Sequence, residues 1–131
     1  MARSVLPFLM FEGSAEAAMK LYVSLFRNAE IKQIERYGPG EPGREGTVKR
    51  AEFTVAGQSV ICIDSPVKHG FTFTPSVSLF VECESETELD DLYRDLSQNG
   101  GVLMPPANYG FGTKFTWLND RFGVSWQLNF R

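Results

Sequence analysis

Three polar side chains near the end of the chain, Ser125, Gln127 and Asn129, recur at every second residue of NDRFGVSWQLNF (119–130). Val124, Trp126, Leu128 and Phe130 alternate with them. The stretch therefore reads as a turn at Asn119, Asp120 and Gly123 feeding a strand with one apolar and one polar face. Hydroxyl and carboxamide groups on such a face can bind a ligand, and Gln127 is also a weak metal donor. Other candidate chemistry is sparse. The single histidine, His69, lies in the loop-like PVKHGFTF with no evident partners, so Ser/His/Asp catalysis lacks support. Cys62 and Cys83 sit in the apolar runs SVICID and LFVECE, without a second Cys or a His at ligand spacing. They read as reduced, buried thiols. GPGEPG (38–43) fits G-x-G-x-x-G, but that motif works only where a helix opens directly after it, and Pro39, Pro42, Arg44 and Gly46 forbid the helix.

The elements that must position these groups belong to a chain of 131 residues, enough for one domain or two small modules. With 43% hydrophobic and 22% charged residues, the composition is that of an ordinary globular protein. A net charge of −3 and a pI near 5.2 argue against a nucleic-acid partner. No apolar run approaches the roughly 18–20 residues that span a bilayer. The first residues, MARSVLPFLMFEG, lack the length and cleavage site of a signal peptide, so a cytoplasmic location is expected.

LPFLMF (6–11) is a short strand, and Ser14 is placed to cap a helix over 15–27 whose face is Ala15, Ala18, Met19, Tyr22, Val23 and Phe26. EIKQIERY (30–37) is a strand. TVKRAEFTV and QSVICID form a hairpin about Ala56-Gly57. The order then repeats. PSVSLFVEC (75–83) is a strand, and Ser85-x-x-Glu88 a capping box for a helix with Leu89, Leu92, Tyr93 and Leu96 on one face. Gly100 is placed for a left-handed C-cap, and GVLMPP is a strand that Pro105-Pro106 should stop. TKFTWLN and GVSWQLNF are the last pair. A Phe-Thr pair precedes a turn glycine in both halves (Phe53-Thr54 and Gly57; Phe115-Thr116 and Gly123), which marks an internal repeat.

PFLMFEGSAEAAMKLYVSLF (7–26), SVSLFVEC (76–83), LSQNGGVLM (96–104) and NYGFGTKFTWLNDRFGVSWQL (108–128) resemble the vicinal oxygen chelate superfamily of glyoxalase I, bleomycin-resistance proteins and extradiol dioxygenases. Within it they resemble the PhnB-like branch that carries the name 3-demethylubiquinone-9 3-methyltransferase. The resemblance implies an α+β fold: two tandem βαβββ modules, about 5–65 and 75–131, forming one glyoxalase-like domain over 1–131. Its curved mixed sheet would surround a cleft, with helices outside. Superfamily enzymes hold a divalent metal with His, Glu or Gln from four strands. The last-strand positions would be Ile61 and Gln127, and the first-strand ligands would fall within 5–11 and 75–81, which contain no His, Asp, Glu or Gln. At most one donor of four is present, whereas such metals need three or four converging within about 2–2.3 Å. We therefore expect no metal and no cofactor. The chain also lacks a doubly wound methyl-donor fold, so the methyltransferase name finds no support in it.

Alternation then supplies a candidate cleft lining. With Gln127 inward, Ser125 is inward too. The same phase puts Lys114 and Thr116 inward on the preceding strand, with Phe115 and Trp117 in the core. The repeat puts Arg50, Glu52 and Thr54 inward, and Ser76 and Ser78 join them on the fifth strand. Glu52 could be a general base or merely the ion-pair partner of Arg50 or Lys114; Lys114 or Arg50 could anchor an anion. Tyr109 and Phe111, between glycines in NYGFGT, are a possible gate. The expected function is metal-free binding of a small aromatic or anionic metabolite. The alternatives are a metal-dependent lyase, isomerase or dioxygenase, and a dimer without a preserved site. A homodimer is expected throughout.

Overall fold

The computed structural model describes residues 1–131 and divides them into two compact units, Met1–His69 and Gly70–Arg131. Each unit runs strand, helix and three strands. The first contains β1 (Phe8–Phe11), α1 (Ala15–Leu25), β2 (Glu30–Arg36), β3 (Val48–Val55) and β4 (Gln58–Asp64). The second contains β5 (Leu79–Glu82), α2 (Glu86–Ser97), β6 (Gly101–Ala107), β7 (Lys114–Asn119) and β8 (Ser125–Phe130). The class is α+β, with two four-stranded mixed sheets ordered β1-β4-β3-β2 and β5-β8-β7-β6. The first strand of each unit runs parallel to the last, and all other pairs are antiparallel. No helix is long and apolar enough to cross a membrane.

In the first unit, α1 packs on the sheet with Ala15, Ala18, Met19 and Tyr22 buried, and the Tyr22 ring lies 6.1 Å from that of Phe53. Ala51, Phe53, Val60 and Cys62 share that helix-facing side and are fully buried. The helix start differs from expectation. Ser14 makes no side-chain cap bond. The buried Asp64, at the end of β4, caps instead: Oδ1 accepts from Gly13 N (2.7 Å) and Ala15 N (3.0 Å), and Oδ2 accepts from Val48 N (2.9 Å). A carboxylate answers two orphan amides and the helix dipole better than a serine hydroxyl can. The start of α1 is thereby tied to both strands of the β3–β4 hairpin.

Arg36 grips Glu16 of α1 through two bonds of 2.7 and 2.8 Å. That guanidinium holds the Glu16 carboxyl down at about 2, well below the usual carboxylate value. A carboxylate with a depressed folded pKa contributes stability above its unfolded pKa, and that contribution is lost as pH falls toward 2. Because the pair is partly exposed, its worth is under about 1 kcal/mol. Glu16→Gln should therefore leave a small deficit at pH 7 that closes between about pH 4.5 and 2, as read by urea denaturation across that range.

In the second unit, α2 packs on β7 and β8 through Leu89, Leu92 and Leu96. Ser85 caps it as expected, accepting from Glu88 N at 3.0 Å; the Glu88 side chain in return accepts from Glu84 N at 2.8 Å. At the other end the left-handed residue is Asn99 (φ +59°), not Gly100. Glycine is needed at 100 for a different reason: a Cβ there would lie 2.1 Å from the Asn119 carbonyl oxygen. The Pro105-Pro106 pair does not stop β6, which runs on to Ala107. β6 is an edge strand with register shifts on either side of Met104, and an edge tolerates missing ladder donors. The NDRFG turn is organised by Asp120, whose Oδ1 accepts from Phe122 N and Val124 N while Oδ2 accepts from the Trp126 indole N–H.

Candidate functional site

Antiparallel register assigns every side chain of β7 and β8 to a face. Trp117 lies opposite Gln127, Phe115 opposite Asn129 and Asn119 opposite Ser125. These six share the side of the sheet away from α2. The parallel pair adds Phe80 beside Gln127 and Glu82 beside Asn129. Ser78 joins them through a 2.7 Å hydrogen bond to Ser125. Lys114 and Thr116 stand on the opposite, helix-facing side with Leu118, Trp126 and Leu128, which corrects the sequence-based placement of β7. Lys114 is held by α2, with its ammonium 2.7 Å from Asp90 and 3.4 Å from Glu86. Those carboxylates push its pKa up, foremost through the Asp90 hydrogen bond. Thr116 is fully buried and donates to the Met104 carbonyl oxygen at 2.8 Å. Neither belongs to the polar face of β8.

The residues that replace them are aromatic. Phe115 is buried and forms the centre of a cluster: Phe111 lies 4.9 Å from it, Tyr109 6.1 Å and Phe80 6.5 Å between ring centroids. The Tyr109 and Phe111 contacts are edge-on. Phe80 and Phe111 are nevertheless 54% and 60% exposed, so two large apolar rings face outward beside a buried one. Tyr109 is fixed by its hydroxyl, which donates to the Pro105 carbonyl at 2.7 Å. At Gly112 the loop passes so close to β8 that a Cβ would meet Phe130 O at 2.7 Å and Asn129 Oδ1 at 2.9 Å.

A polar chain runs beside the rings. The Trp117 indole donates to Ser125 Oγ at 2.9 Å, and Gln127 Nε2 donates to Ser78 Oγ at 3.2 Å. Asn129 Nδ2 donates to Glu82 Oε2 at 3.3 Å, but the buried Asn129 Oδ1 has no hydrogen-bond partner; Asn119 Oδ1 shares that condition. Ser76 lies outside the strand and pairs with Thr74 Oγ1 at 3.0 Å.

In the first unit the expected phase matches the register. Arg50, Glu52 and Thr54 lie on the side away from α1, with Ser59, Ile61, Phe8 and Met10. Arg50 and Glu52 form no ion pair with each other. Thr54 is buried and its hydroxyl accepts from Glu30 N at 3.1 Å. His69, expected to lack partners, has its Nε2 2.7 Å from Ser65 Oγ, and its backbone N–H donates to Glu12 Oε2 at 3.3 Å. Ser65 Oγ also accepts from Val67 N, so the pair closes the 65–69 turn. Burial pushes the thiols of Cys62 and Cys83 up to about 12, which leaves them unreactive at neutral pH.

Register also identifies the positions from which a superfamily metal would be bound. In the first unit Ile61 lies beside Phe8, and in the second Gln127 lies beside Phe80. Neither pair fits a divalent ion: the first is hydrocarbon, and the second offers one carboxamide, already bonded to Ser78. No group of three or more His, Cys, Asp or Glu residues gathers elsewhere to hold one.

Paired βαβββ units with parallel first and last strands define the vicinal oxygen chelate class. Residues 3–129 match the family described as 3-demethylubiquinone-9 3-methyltransferase, and the chain belongs to that family, the PhnB-like branch of the superfamily. A PhnB protein from Bacillus cereus is 53% identical, covering 98% of this chain and 100% of that chain with a TM-score of 0.95. Protein PA1353 from Pseudomonas aeruginosa is 22% identical, covering 99% and 98% with a TM-score of 0.87. The fosfomycin resistance protein FosX from Listeria monocytogenes shares the fold at 13% identity, covering 100% and 94% with a TM-score of 0.63. Among curated proteins none matches.

Proposed function

We propose that this protein binds a small aromatic molecule without a metal, on the helix-free face of β5, β8 and β7. The observation that carries the proposal is the Phe115 cluster. Two outward-facing rings, Phe80 and Phe111, stand beside a buried one and next to a row of side-chain hydrogen-bonding groups. Apolar walls with a few placed polar groups are what small-molecule sites are made of. Gln127, Ser78 and Ser125 would orient the ligand, and Tyr109 with Phe111 would close over it. Arg50, Glu52 and Thr54, on the helix-free face of the first unit, are proposed as a second lining within one glyoxalase-like domain. Homodimerisation and a cytoplasmic location belong to the same proposal; each sheet ends in two edge strands that a partner could cover.

A mutant of FosX has been crystallised with Mn(II) and 1S,2S-dihydroxypropylphosphonic acid. The donor set here favours no such metal-bound anion, and with Lys114 drawn to α2 the anion half of the expected ligand class is left with Arg50 as its one candidate anchor. The methyltransferase name finds no methyl-donor site either, because 38–46 is a loop that leads into β3 rather than a helix. The test is titration of the neutral dye N-phenyl-1-naphthylamine, followed by its own fluorescence. Saturable binding is expected. Replacing both Phe80 and Phe111 by Ala should weaken it at least about tenfold while moving stability by less than about 0.5 kcal/mol, because both rings are exposed. Absent binding, or binding unchanged in the double variant, would refute the proposal.

A further inference from the structure

The helix-free face of the second unit carries one ionisable strand residue, Glu82. Its other strand residues on β5, β8 and β7 are Phe80, Ser125, Gln127, Asn129, Phe115, Trp117 and Asn119, with Ser78 just before β5, and none of them is cationic. The lysine of β7 is on the other side, engaged by Asp90 and Glu86. Among the acceptors, Asn129 Oδ1 is buried without a donor, and Gln127, whose Nε2 donates to Ser78, keeps its carbonyl oxygen beside a second N–H. Aromatic faces are electron-rich and attract cations within about 6 Å. Aromatic rings, a carboxylate and spare acceptors on one surface select for positive charge.

We infer, resting on the binding reading above, that the ligand is an aromatic compound bearing a protonated amine. Its ring would lie against Phe80, Phe111 and Phe115, and its ammonium would be directed to Glu82 and the carboxamide oxygen of Gln127. Phe80 and Glu82 are two residues apart on one strand. At a rise of about 3.3 Å per residue, roughly 6.6 Å separates the ring's end of the site from the charged end, which suits an arylalkylamine. Asn129 Nδ2 holds Glu82 Oε2 in place at 3.3 Å. Arg131, 81% exposed, reaches Glu82 Oε1 only at 3.8 Å and is readily displaced.

Three probes of similar size separate the alternatives: benzylammonium, its uncharged isostere ethylbenzene, and benzoate. Binding is read by two-dimensional NMR at the Trp117 indole N–H and the Asn129 and Gln127 carboxamides. Benzylammonium should bind at least tenfold more tightly than ethylbenzene, and benzoate should not bind. Glu82→Gln should abolish the preference for the cation while keeping ethylbenzene binding, and Arg131→Gln should strengthen benzylammonium severalfold. Equal affinity for ethylbenzene and benzylammonium, or a preference for benzoate, would overturn the inference while leaving aromatic binding intact. If no probe moves these signals, both the inference and the binding reading fall.

Discussion

Asp64→Ala is expected to destabilise the protein by on the order of 4 kcal/mol, out of a total that for globular domains is about 5–15 kcal/mol. The carboxylate is buried, and three backbone N–H groups donate to it, from Gly13, Ala15 and Val48. Alanine leaves all three without that partner, those of Ala15 and Val48 in buried positions, and each buried loss costs about 1–3 kcal/mol. The loss also removes the cap of α1 and the charge facing its dipole. Asp64→Asn should lie between alanine and the natural residue. Its oxygen can still accept from Gly13 and Ala15, but its amide then opposes the Val48 N–H. Urea denaturation measures the order directly. Stability for Asp64→Ala within about 1 kcal/mol of the natural protein would contradict the role assigned to Asp64.

Asp120→Ala should cost a similar amount, about 3–4 kcal/mol, through different partners. Asp120 is buried, and it accepts from Phe122 N at 2.8 Å, from Val124 N at 3.0 Å and from the Trp126 indole at 2.9 Å. The first two fix the turn that sets the register of β7 against β8. The third locks the largest fully buried side chain of the chain. A slip of one residue would exchange the two faces of β8, moving Gln127 toward α2. Trp126→Phe separates the terms: it keeps the turn bonds and leaves Asp120 Oδ2 without its indole donor. We expect it to be the milder change, and tryptophan fluorescence of this variant then reports Trp117 alone. A larger loss for Trp126→Phe than for Asp120→Ala would show that the turn contributes less than the indole packing.

Most of the fold was legible in the sequence. The 3.6-residue spacing gave both helices and alternation gave β3 and β8, because these elements bury one side against a helix and carry polar groups on the other. β7 was misread for the converse reason. In KFTWLN the aromatic residues Phe115 and Trp117 lie on the helix-free face, while Lys114 and Thr116 lie on the helix side, satisfied by Asp90 and by the Met104 carbonyl. Hydropathy alone places aromatics against the helix, whereas Phe115 and Trp117 lie on the other face. The hairpin held the correcting signal. A tight turn at 120–124 pairs 119 with 125 and therefore 117 with 127, so Trp117 must share the face of Gln127. Asp64 as the cap of α1 was not legible, since it lies about 50 residues from the helix start and reaches it only through the parallel pairing of β1 with β4. The Gly100 requirement likewise depends on the approach of a backbone carbonyl distant in sequence. Hydrocarbon side chains at 8, 61 and 80 cannot ligate a metal whatever the register.

Binding through rings and acceptors, in place of a metal, is the centre of this account, and calorimetric titration of chelator-treated protein with Zn²⁺, Ni²⁺, Mn²⁺ and Fe²⁺ tests it most directly. The account predicts no site tighter than about 1 μM (roughly −8 kcal/mol), with N-phenyl-1-naphthylamine binding unaffected by chelator. A stoichiometric metal bound more tightly than that, lost on Gln127→Leu and required for dye binding, would contradict it.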